Sequence, residues 1–521
     1  MLSVIPKPNS FIVKSGYFDL NAKVVVKGLD NPFLLNLLNT IMCKKNEQTK
    51  SSITNIIQFE KNESLGMEVY LLNITTNRII VQSSSESGIF YALMTLKQIS
   101  SLNEKLPCCE IIDEPRYAHR GFLLDVSRHF IPKEEVKKII DIAALFKMNK
   151  FHWHLTDDQG WRIEIKKYPD LIRNGSVRKS SVTQEYGMMQ EYPRTGYYSQ
   201  ADIREIVRFA KERQIEIIPE IDMPGHIRSA VSAYPHLTCH QKEIEVAIEP
   251  GIYGDVLCIG NETTYEFVFN VLDEIVSLFP SNKIHLGGDE VPKSNWFSCE
   301  KCVDMIKKNH LINGQGLQTY FLNRIIKYLN NRGKQVILWN ESIIDKNIDA
   351  SAVCQFWNPG AEMNLIYDVI RFKNQVIDSN YKHYYLDYPY CITPLKKAYK
   401  YKSIFEAEGY SNKLLGIECA IWTDLISNHE TLYDRMFPRL IAIAESSWTN
   451  KNLKDYERFK SDLHDMKDLI SEYGIELSDK KLWDPKGIKC KFQALAHIKK
   501  MIKMDTIKQL RKMKKEKFVR L

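Results

Sequence analysis

Two adjacent acidic residues, Asp289 and Glu290, are the strongest candidates for chemistry in this sequence. They end the segment Lys283-Ile-His-Leu-Gly-Gly-Asp-Glu-Val291, whose apolar residues indicate a short buried strand. The two glycines carry no side-chain bulk, so another group can approach the backbone closely at this point. An acidic loop that only caps the next helix would explain the pair without chemistry. Two carboxylates at the mouth of a buried strand favour a catalytic site instead.

The region around this pair alternates between buried strands and helices. Pro132 opens one predicted helix, and further helices are predicted at 201–213, 316–332 and 437–444. Eight strand candidates alternate with the helices, at 121–126, 151–156, 215–222, 284–286, 336–339, 352–357, 375–378 and 415–422. This alternation predicts an α/β fold, a (β/α)8 TIM barrel over residues 116–480.

Two further segments flank the predicted barrel. Residues 1–115 contain a helical pattern from Ser87 and four strand candidates, at 24–28, 53–59, 67–74 and 78–82. They predict a smaller α+β domain with a mostly antiparallel sheet, joined to the barrel by a linker at 113–118. Residues 481–521 form a basic C-terminal extension with apolar residues at Ile498, Ile502, Ile507 and Leu510. We expect a solvated terminal helix there; an amphipathic helix on an anionic surface is the alternative.

Charge and composition restrict the class of protein. The 521 residues carry a net charge of +8, but 13 Lys and Arg against 2 acidic residues in 486–521 give that segment +11. The remaining chain therefore has a net charge of −3, which argues against a nucleic-acid partner for the globular body. No apolar stretch approaches the ~20 residues needed to span a bilayer, and no signal peptide is evident. We expect a cytoplasmic protein, or an extracellular or periplasmic one if a leader was removed. A homodimer is compatible with the sequence.

Polar and aromatic residues collect at the carboxyl ends of the predicted strands. They are Asp125, Arg128, Asp157, Asp158, Glu220, Asp222, His226, Asp289, Glu290, Trp339, Glu341, Trp357, Asp378, Trp422 and Asp424. In a (β/α)8 barrel these strand ends meet at one face, where the active site lies. Carboxylates in an aromatic pocket suit glycoside hydrolysis, because an acid must protonate the leaving oxygen and tryptophan faces match sugar rings.

Four long motifs occupy these strand ends in a fixed order. They are His119-Arg-Gly-Phe-Leu-Leu-Asp-Val-Ser-Arg-His, His152-Trp-His-Leu-Thr-Asp-Asp-Gln-Gly-Trp, Glu220-Ile-Asp-Met-Pro-Gly-His and His285-Leu-Gly-Gly-Asp-Glu-Val. Together they resemble the β-N-acetylhexosaminidases of glycoside hydrolase family 20. The resemblance covers about residues 115–475, and the N-terminal domain fits the accessory domain of that family. It implies retaining hydrolysis in which the 2-acetamido oxygen of the sugar is the nucleophile, an exception to the usual two-carboxylate scheme.

The resemblance also implies roles for individual residues. Glu290 matches the general acid and base, and Asp289 matches the residue that orients the acetamido group. Asp157 and His226 match a pair that supports the acid. Tyr385 matches the tyrosine that hydrogen-bonds the acetamido carbonyl, although Tyr384 beside it could be mistaken for that residue.

The remaining matched residues would bind the sugar. Arg128 matches an arginine that binds the 3- and 4-hydroxyls, with an ion pair to Asp125 as the structural alternative. The other matches are the pocket walls Trp339, Trp357 and Trp422, and a hydroxyl ligand, Asp387. The family commonly has Trp-x-Glu at the last strand, whereas this chain has Trp422-Thr-Asp424. Asp is one methylene shorter than Glu, so the sequence does not decide which sugar is preferred. The reaction class does not depend on this contact.

Other functions are also open at this stage. A catalytically inactive sugar-binding protein on the same scaffold is disfavoured because both Asp289 and Glu290 are present. A metal hydrolase could use His152, His154, Asp157 and Asp158, but no third histidine motif completes a site. Among the 11 cysteines, Cys299 and Cys302 form a Cys-x-x-Cys with no second pair at finger-like spacing, which disfavours a zinc or redox role. No metal and no cofactor are expected.

Overall fold

The N-terminal domain is a six-stranded sheet with two helices, α1 (Pro32–Cys43) and α2 (Glu86–Leu102). The strands are β1 Ser10–Phe18, β2 Lys23–Lys27, β3 Thr54–Lys61, β4 Tyr70–Ile74, β5 Arg78–Ser83 and β6 Leu106–Asp113. Their spatial order is β1-β6-β4-β5-β3-β2, in which only the β5–β3 and β3–β2 pairs are parallel. The predicted α+β domain with a mostly antiparallel sheet is confirmed.

The computed structural model describes residues 3–20, 22–43, 54–103, 105–179, 182–185, 188–191, 194–360, 363–372, 374–426 and 428–503. Two strands, β1 and β6, are absent from the sequence prediction. β1 is an edge strand with six consecutive exposed residues, so it lacks the alternation of apolar and polar residues that marks a half-buried strand. β6 begins with Leu-Pro-Cys-Cys and pairs with β1 and β4.

The second domain is a closed barrel of eight parallel strands. Its strands are β7 His119–Asp125, β8 Lys150–His154, β15 Glu216–Glu220, β16 Lys283–His285, β17 Gln335–Trp339, β18 Val353–Phe356, β19 Val376–Asp378 and β20 Leu414–Ile421. Each of them overlaps one of the eight predicted strands, in the same order along the chain. The predicted (β/α)8 barrel is therefore confirmed. Between β8 and β15 lie three short antiparallel pairs, β9 Thr156–Asp157 with β10 Gly160–Trp161, β11 Val177–Arg178 with β14 Arg194–Thr195, and β12 Val182–Glu185 with β13 Met188–Glu191.

Helices lie between the barrel strands and after the last of them. They are α3 Lys133–Leu145, α4 Asp170–Arg173, α5 Gln200–Glu212, α6 Arg228–Ala233, α7 Glu262–Leu278, α8 Ser294–Phe297, α9 Glu300–Lys308, α10 Gly314–Asn330, α11 Asn340–Ile343, α12 Met363–Phe372, α13 Tyr381–Tyr384, α14 Leu395–Lys400, α15 Ile404–Ala407, α16 His429–Met436, α17 Arg439–Trp448, α18 Tyr456–Asp465, α19 Lys467–Ser471, α20 Lys480–Trp483 and α21 Ile488–Lys503. The helix predicted at 437–444 is wrong at its start, because Phe437 and Pro438 separate α16 from α17. Proline has no N–H and disfavours helical backbone in the residue before it.

The inside of the barrel is filled in layers. Ile218, Ile337, Val353 and Ile377 form an apolar layer at one end. Above it lies a polar layer that includes Glu220 and Glu418, both fully buried. An aromatic layer closes the end at which the strands terminate; it consists of Leu123, Trp339, Tyr385 and Ala420, with Trp357, Tyr381, Tyr388 and Trp422 packed against it.

Asp113, at the end of β6, is buried between the two domains. Its carboxylate accepts hydrogen bonds from the Tyr70 hydroxyl (2.8 Å), Nε1 of Trp448 (3.0 Å) and Nζ of Lys147 (2.9 Å). Lys147 is fully buried too, and burial lowers the pKa of its ammonium group. The predicted linker therefore starts one residue too early, because Asp113 is still the last residue of β6. Its side chain connects the sheet to the barrel. Removing one partner of such a buried pair typically costs about 3–5 kcal/mol.

The C-terminal extension begins with α20 and α21. Apolar residues of α21 are exposed, including Ile488, Phe492 and Leu495. A helix is therefore present at the start of the basic segment, and its solvated state stays a prediction beside the alternative of an anionic surface. Ile507 and Leu510 lie outside the described residues. Within the described residues, no helix combines the length and the apolar character needed to cross a membrane.

Candidate active site

The loop after β16 presents Asp289 and Glu290, and its two glycines are required by close neighbours. Gly287 has φ +64° and Gly288 has φ +88°, values that favour glycine. A Cβ on Gly287 would lie 1.8 Å from Oδ1 of Asp222, and a Cβ on Gly288 would lie 2.4 Å from Oγ of Ser342. The predicted close approach to the backbone therefore involves side chains of the protein itself.

These neighbours also fix the loop by hydrogen bonds. Oδ1 of Asp222 accepts from the Gly288 N–H at 3.1 Å. The Gly288 carbonyl accepts from Oγ of Ser342 at 2.7 Å and from Nε2 of Gln318 at 2.8 Å. Burial and the nearby Asp289 carboxylate raise the pKa of Asp222 well above its usual value. The backbone before the acidic pair is thus held from both sides.

Asp157 is a fully buried carboxylate on which three nitrogen groups converge. Its Oδ2 lies 2.5 Å from Nη2 of Arg128 and 2.9 Å from Nε2 of His154. Its Oδ1 lies 3.2 Å from Nδ1 of His226. Burial alone would raise the pKa of Asp157, but the Arg128 and His226 cations hold it below its usual value. Arg128 also lies 3.4 Å from Asp125, so the sequence alternative of an Arg128–Asp125 ion pair is present beside the shorter contact to Asp157.

His226 connects Asp157 to the acidic pair. Its Nε2 lies 3.7 Å from Oε2 of Glu290 and 3.9 Å from Oδ2 of Asp289. Burial alone would lower the pKa of His226, but the Asp157 carboxylate raises it well above the usual value. A protonated His226 places a positive charge between the two carboxylates of the pair and Asp157.

Asp289 and Glu290 have different surroundings although they are adjacent. Burial raises the pKa of Asp289 to about 6, with His226 acting against this rise and the Glu290 carboxylate adding to it. Oδ1 of Asp289 is buried and has no hydrogen-bond partner among the described residues. Glu290 adopts φ +47°, a left-handed conformation that is uncommon for a residue other than glycine. An unpartnered buried oxygen next to a second carboxylate is a binding position for a ligand N–H.

Under the pocket, Glu220 and Glu418 hold a set of buried histidines. Oε2 of Glu220 accepts from Nδ1 of His154, and Oε1 of Glu220 accepts from Nε1 of Trp339 at 2.9 Å. Oε1 of Glu418 lies 2.8 Å from Nδ1 of His152. Burial alone would raise the pKa of Glu220, but the His154, His285 and His152 rings hold it well below the usual value. His154 and His152 are thus paired with carboxylates, and both ring nitrogens of His154 are occupied.

Aromatic rings form the wall of the pocket. The Trp357 and Tyr385 rings are nearly parallel, at 10° with centroids 6.0 Å apart. The ring centroid of Trp422 lies 6.0 Å from the centroids of both Trp339 and Tyr385. Trp339 is nearly fully buried and forms the floor. Oε2 of Glu341 accepts from Nε1 of Trp357 at 2.8 Å, which orients that wall residue.

Two further carboxylates, Asp387 and Asp424, complete the opening. Oδ1 of Asp387 is buried and has no hydrogen-bond partner within the part of the chain described, and burial raises the pKa of Asp387 to about 7. Oδ2 of Asp424 lies 4.0 Å from Nε of Arg128. Burial raises the pKa of Asp424, and the Arg128 cation opposes that rise.

The structure brings all eleven predicted site residues to one end of the barrel. Tyr385 joins the aromatic layer, whereas Tyr384 packs against Tyr401 in the main core, at 5.2 Å between centroids. Sequence reasoning assigned no role to Glu220, Asp222 and Glu341, although it placed all three at strand ends. The signal that could have found Glu220 and Asp222 is an acidic residue inside a buried motif, because a buried carboxylate is tolerated only when it has a partner.

Comparisons with known sequences identify the same two regions. Residues 117–451 match the family described as "Glycosyl hydrolase family 20, catalytic domain", and residues 1–114 match "Glycosyl hydrolase family 20, domain 2". A β-hexosaminidase of Porphyromonas gingivalis is 37% identical over 420 residues, covering 75% of this chain and 52% of that protein. This chain therefore spans about half the length of that relative. A β-hexosaminidase of Vibrio furnissii is 32% identical, covering 86% of this chain and 77% of that protein.

Solved structures resemble the whole arrangement of domains. The β-N-acetylhexosaminidase of Bacteroides fragilis has a TM-score of 0.80 at 31% identity, with 92% of this chain and 97% of that chain covered. An exo β-N-acetylglucosaminidase of Vibrio harveyi, solved in complex with N-acetylglucosamine, has a TM-score of 0.80 at 30% identity. That match covers 91% of this chain and 78% of that chain.

Replacing Asp289 by Asn should stabilise the folded protein by about 1–3 kcal/mol near pH 8. The folded pKa of about 6 lies above the ordinary 3.8, so ionised Asp289 destabilises the folded state above pH 6. That penalty, and with it the advantage of the variant, should fall as the pH drops from about 6 to about 4. Urea unfolding across this range measures it. The control is Asp304→Asn, at an exposed position of α9, and an equal gain in both variants would contradict the assignment.

Proposed function

Because this chain belongs to glycosyl hydrolase family 20, a family of glycosidases, we propose that it removes terminal β-linked N-acetylglucosamine or N-acetylgalactosamine from the non-reducing ends of glycans. The supporting observation is the acidic pair Asp289–Glu290, set beside His226 in a pocket walled by aromatic rings. Relatives named β-hexosaminidases support the same sugar class. Hydrolysis needs no cofactor in this proposal.

Glu290 acts as the general acid in the first step. It protonates the departing glycosidic oxygen while the bond between that oxygen and the anomeric carbon breaks. His226 lies 3.7 Å from its carboxylate, and Asp157 holds His226 from the other side. The pair Asp157–His226 therefore positions the acid and balances its charge. In the second step Glu290 takes a proton from the water that attacks the anomeric carbon.

The nucleophile belongs to the substrate. The carbonyl oxygen of the 2-acetamido group attacks the anomeric carbon and forms a ring of the oxazoline type, which carries positive charge on the amide. The unpartnered Oδ1 of Asp289 is placed to accept the amide N–H and to stabilise that charge. Tyr385, in the wall beside Trp357, donates its hydroxyl to the acetamido oxygen. Two inversions at the anomeric carbon give net retention.

The sugar ring is held by the remaining residues of the opening. Trp357 and Trp422 offer ring faces to its C–H surfaces, with Trp339 as the floor. Arg128 binds sugar hydroxyls from the edge of the pocket. Its Nη2 lies 2.5 Å from Asp157, and its Nε donates to Oε1 of Gln159 at 3.2 Å. Asp387 presents an unpartnered oxygen within the described residues, which suits a hydroxyl donor.

Replacing Glu290 by Gln should lower kcat/KM for an aryl N-acetyl-β-glucosaminide by about 10²–10⁴-fold, because the amide cannot donate the proton. The loss should be largest with a poor leaving group and smaller with a nitrophenyl group, which needs less protonation. Steady-state kinetics over a series of aryl leaving groups measures this. Glu300→Gln, exposed on α9, is the matched control. Equal losses across the series would remove Glu290 from the acid role, and a wild-type protein without activity would favour a sugar-binding protein.

A thiazoline mimic of the oxazoline ring should inhibit competitively and bind at least about 10²-fold tighter than the product sugar. The mimic resembles the intermediate in shape and charge, so Asp289→Asn should weaken its binding more than it weakens binding of the product. Inhibition kinetics and calorimetry on both proteins give the two ratios. If the mimic did not inhibit, a nucleophile supplied by the protein would have to replace the acetamido group.

Replacing Asp424 by Glu should change the ratio of kcat/KM values for gluco- and galacto-configured substrates. The longer side chain moves the carboxylate by about one methylene relative to the 4- and 6-hydroxyls, and one misplaced polar contact is worth about 1–3 kcal/mol. Both substrates are measured on the same preparation, so partial unfolding cancels from the ratio. An unchanged ratio would show that Asp424 does not contact the hydroxyl that distinguishes the two sugars.

A further inference from the structure

Four cysteines that are distant in sequence meet beside the active site. They are Cys239, Cys258, Cys299 and Cys302, and their Sγ atoms all lie within 4.8 Å of one another. The Sγ atom of Cys302 is 3.8 Å from that of Cys239 and 3.7 Å from that of Cys258. Cys258 and Cys299 are also 3.7 Å apart at sulfur. All four are free thiols in the structure.

These separations have the size of the edge of a tetrahedron around one metal ion. A Zn–S bond of about 2.3 Å in tetrahedral geometry places neighbouring sulfur atoms about 3.8 Å apart. A disulfide would need two sulfur atoms at about 2.05 Å. Apolar packing alone does not require four thiols to lie in van der Waals contact with one another, and three of these four are buried.

The backbone around the cluster is shaped for it. The Gly260 N–H donates to Sγ of Cys302 at 3.3 Å, a contact that favours a thiolate at that sulfur. A Cβ at Gly260 would lie 2.3 Å from the carbonyl carbon of Lys301. Only glycine therefore allows the backbone at residue 260 to approach the Cys-x-x-Cys turn this closely. The Cys258 N–H donates to the Leu237 carbonyl at 2.7 Å, which brings the segments of Cys239 and Cys258 together.

We propose that Cys239, Cys258, Cys299 and Cys302 bind one Zn²⁺ ion as a closed structural site. Each thiol loses its proton to solvent, so one Zn²⁺ replaces four protons and the site carries two negative charges. Four protein ligands fill the tetrahedral shell, so the ion has no position for water or substrate. The site stabilises the fold and takes no part in the hydrolysis step.

The ion would join the two loops that carry the catalytic candidates. Cys239 and Cys258 belong to the segment after β15, which also carries His226, while Cys299 and Cys302 follow the loop of Asp289 and Glu290. Nε1 of Trp296 donates to the Leu257 carbonyl at 2.9 Å and so connects the two segments. Within the first segment, the Leu257 N–H donates to the Pro224 carbonyl at 3.0 Å, close to His226 in the chain. Zinc would therefore fix the distance between His226 and the acidic pair.

Metal content of the purified full-length chain tests the assignment. Elemental analysis should find about one zinc per chain, and X-ray absorption should show four sulfur neighbours at about 2.3 Å. Protein reloaded with Co²⁺ should show the intense thiolate-to-cobalt absorption of a tetrahedral thiolate site. Iron at this site would overturn the choice of zinc. Two disulfides found by mass spectrometry, or four reactive thiols with no metal, would overturn the site itself.

Variants separate the cluster from the other cysteines. Cys302→Ser and Cys239→Ser should each lower zinc occupancy at least about tenfold and lower the melting temperature. Cys490→Ser, a partly exposed position outside the cluster, should keep the full zinc content. If Cys302→Ser does not fold, the partly exposed Cys239 supplies the second variant. Full zinc occupancy in both cluster variants would contradict the proposal, whatever their activity.

Discussion

The ionised state of one buried carboxylate, Asp157, is the constraint on which the active site depends. A lone carboxylate in the interior would be protonated, because burial disfavours its charge. Arg128, His154 and His226 surround it and reverse that preference. The same carboxylate then keeps Arg128 in the pocket and His226 charged. Loss of this one negative charge would remove the carboxylate that Arg128, His154 and His226 share.

The chain of alternating acids and histidines extends on both sides of Asp157. On one side His154 leads to Glu220 in the polar layer of the barrel, and on the other His226 leads to Glu290 at the surface of the pocket. Neighbours shift the pKa values of His154, Glu220, Asp157 and His226 toward the charged forms, so these four side chains stabilise one another as a network and not as separate pairs. His154 and Glu220 lie on barrel strands, which hold their geometry better than loops do.

The regular features of the fold were predictable from the sequence, and the reasons are specific. The barrel strands are buried apolar segments between helices, so their pattern is local, whereas β1 is an exposed edge strand with no such pattern. The site residues meet because parallel strands end at one face, which follows from topology alone. The cysteine cluster could not be predicted from the topology in this way. Cys239 and Cys258 lie 60 and 41 residues before Cys299, and only the folded loops bring them together. The support of Trp357 by Glu341 is likewise a tertiary contact between the loops after neighbouring strands.

The filled barrel below Trp339 has a consequence for how molecules pass through the site. Buried aromatic, polar and apolar layers fill the barrel below it, so we expect the pocket to open at the end where the strands terminate. In the proposed hydrolysis, a sugar seated on Trp339 would stand behind whatever is attached to it. The departing partner would then leave first and the sugar second, and water for the second step would enter through the space that the partner vacates. The depth of the pocket thereby fixes an order of events that no single residue imposes.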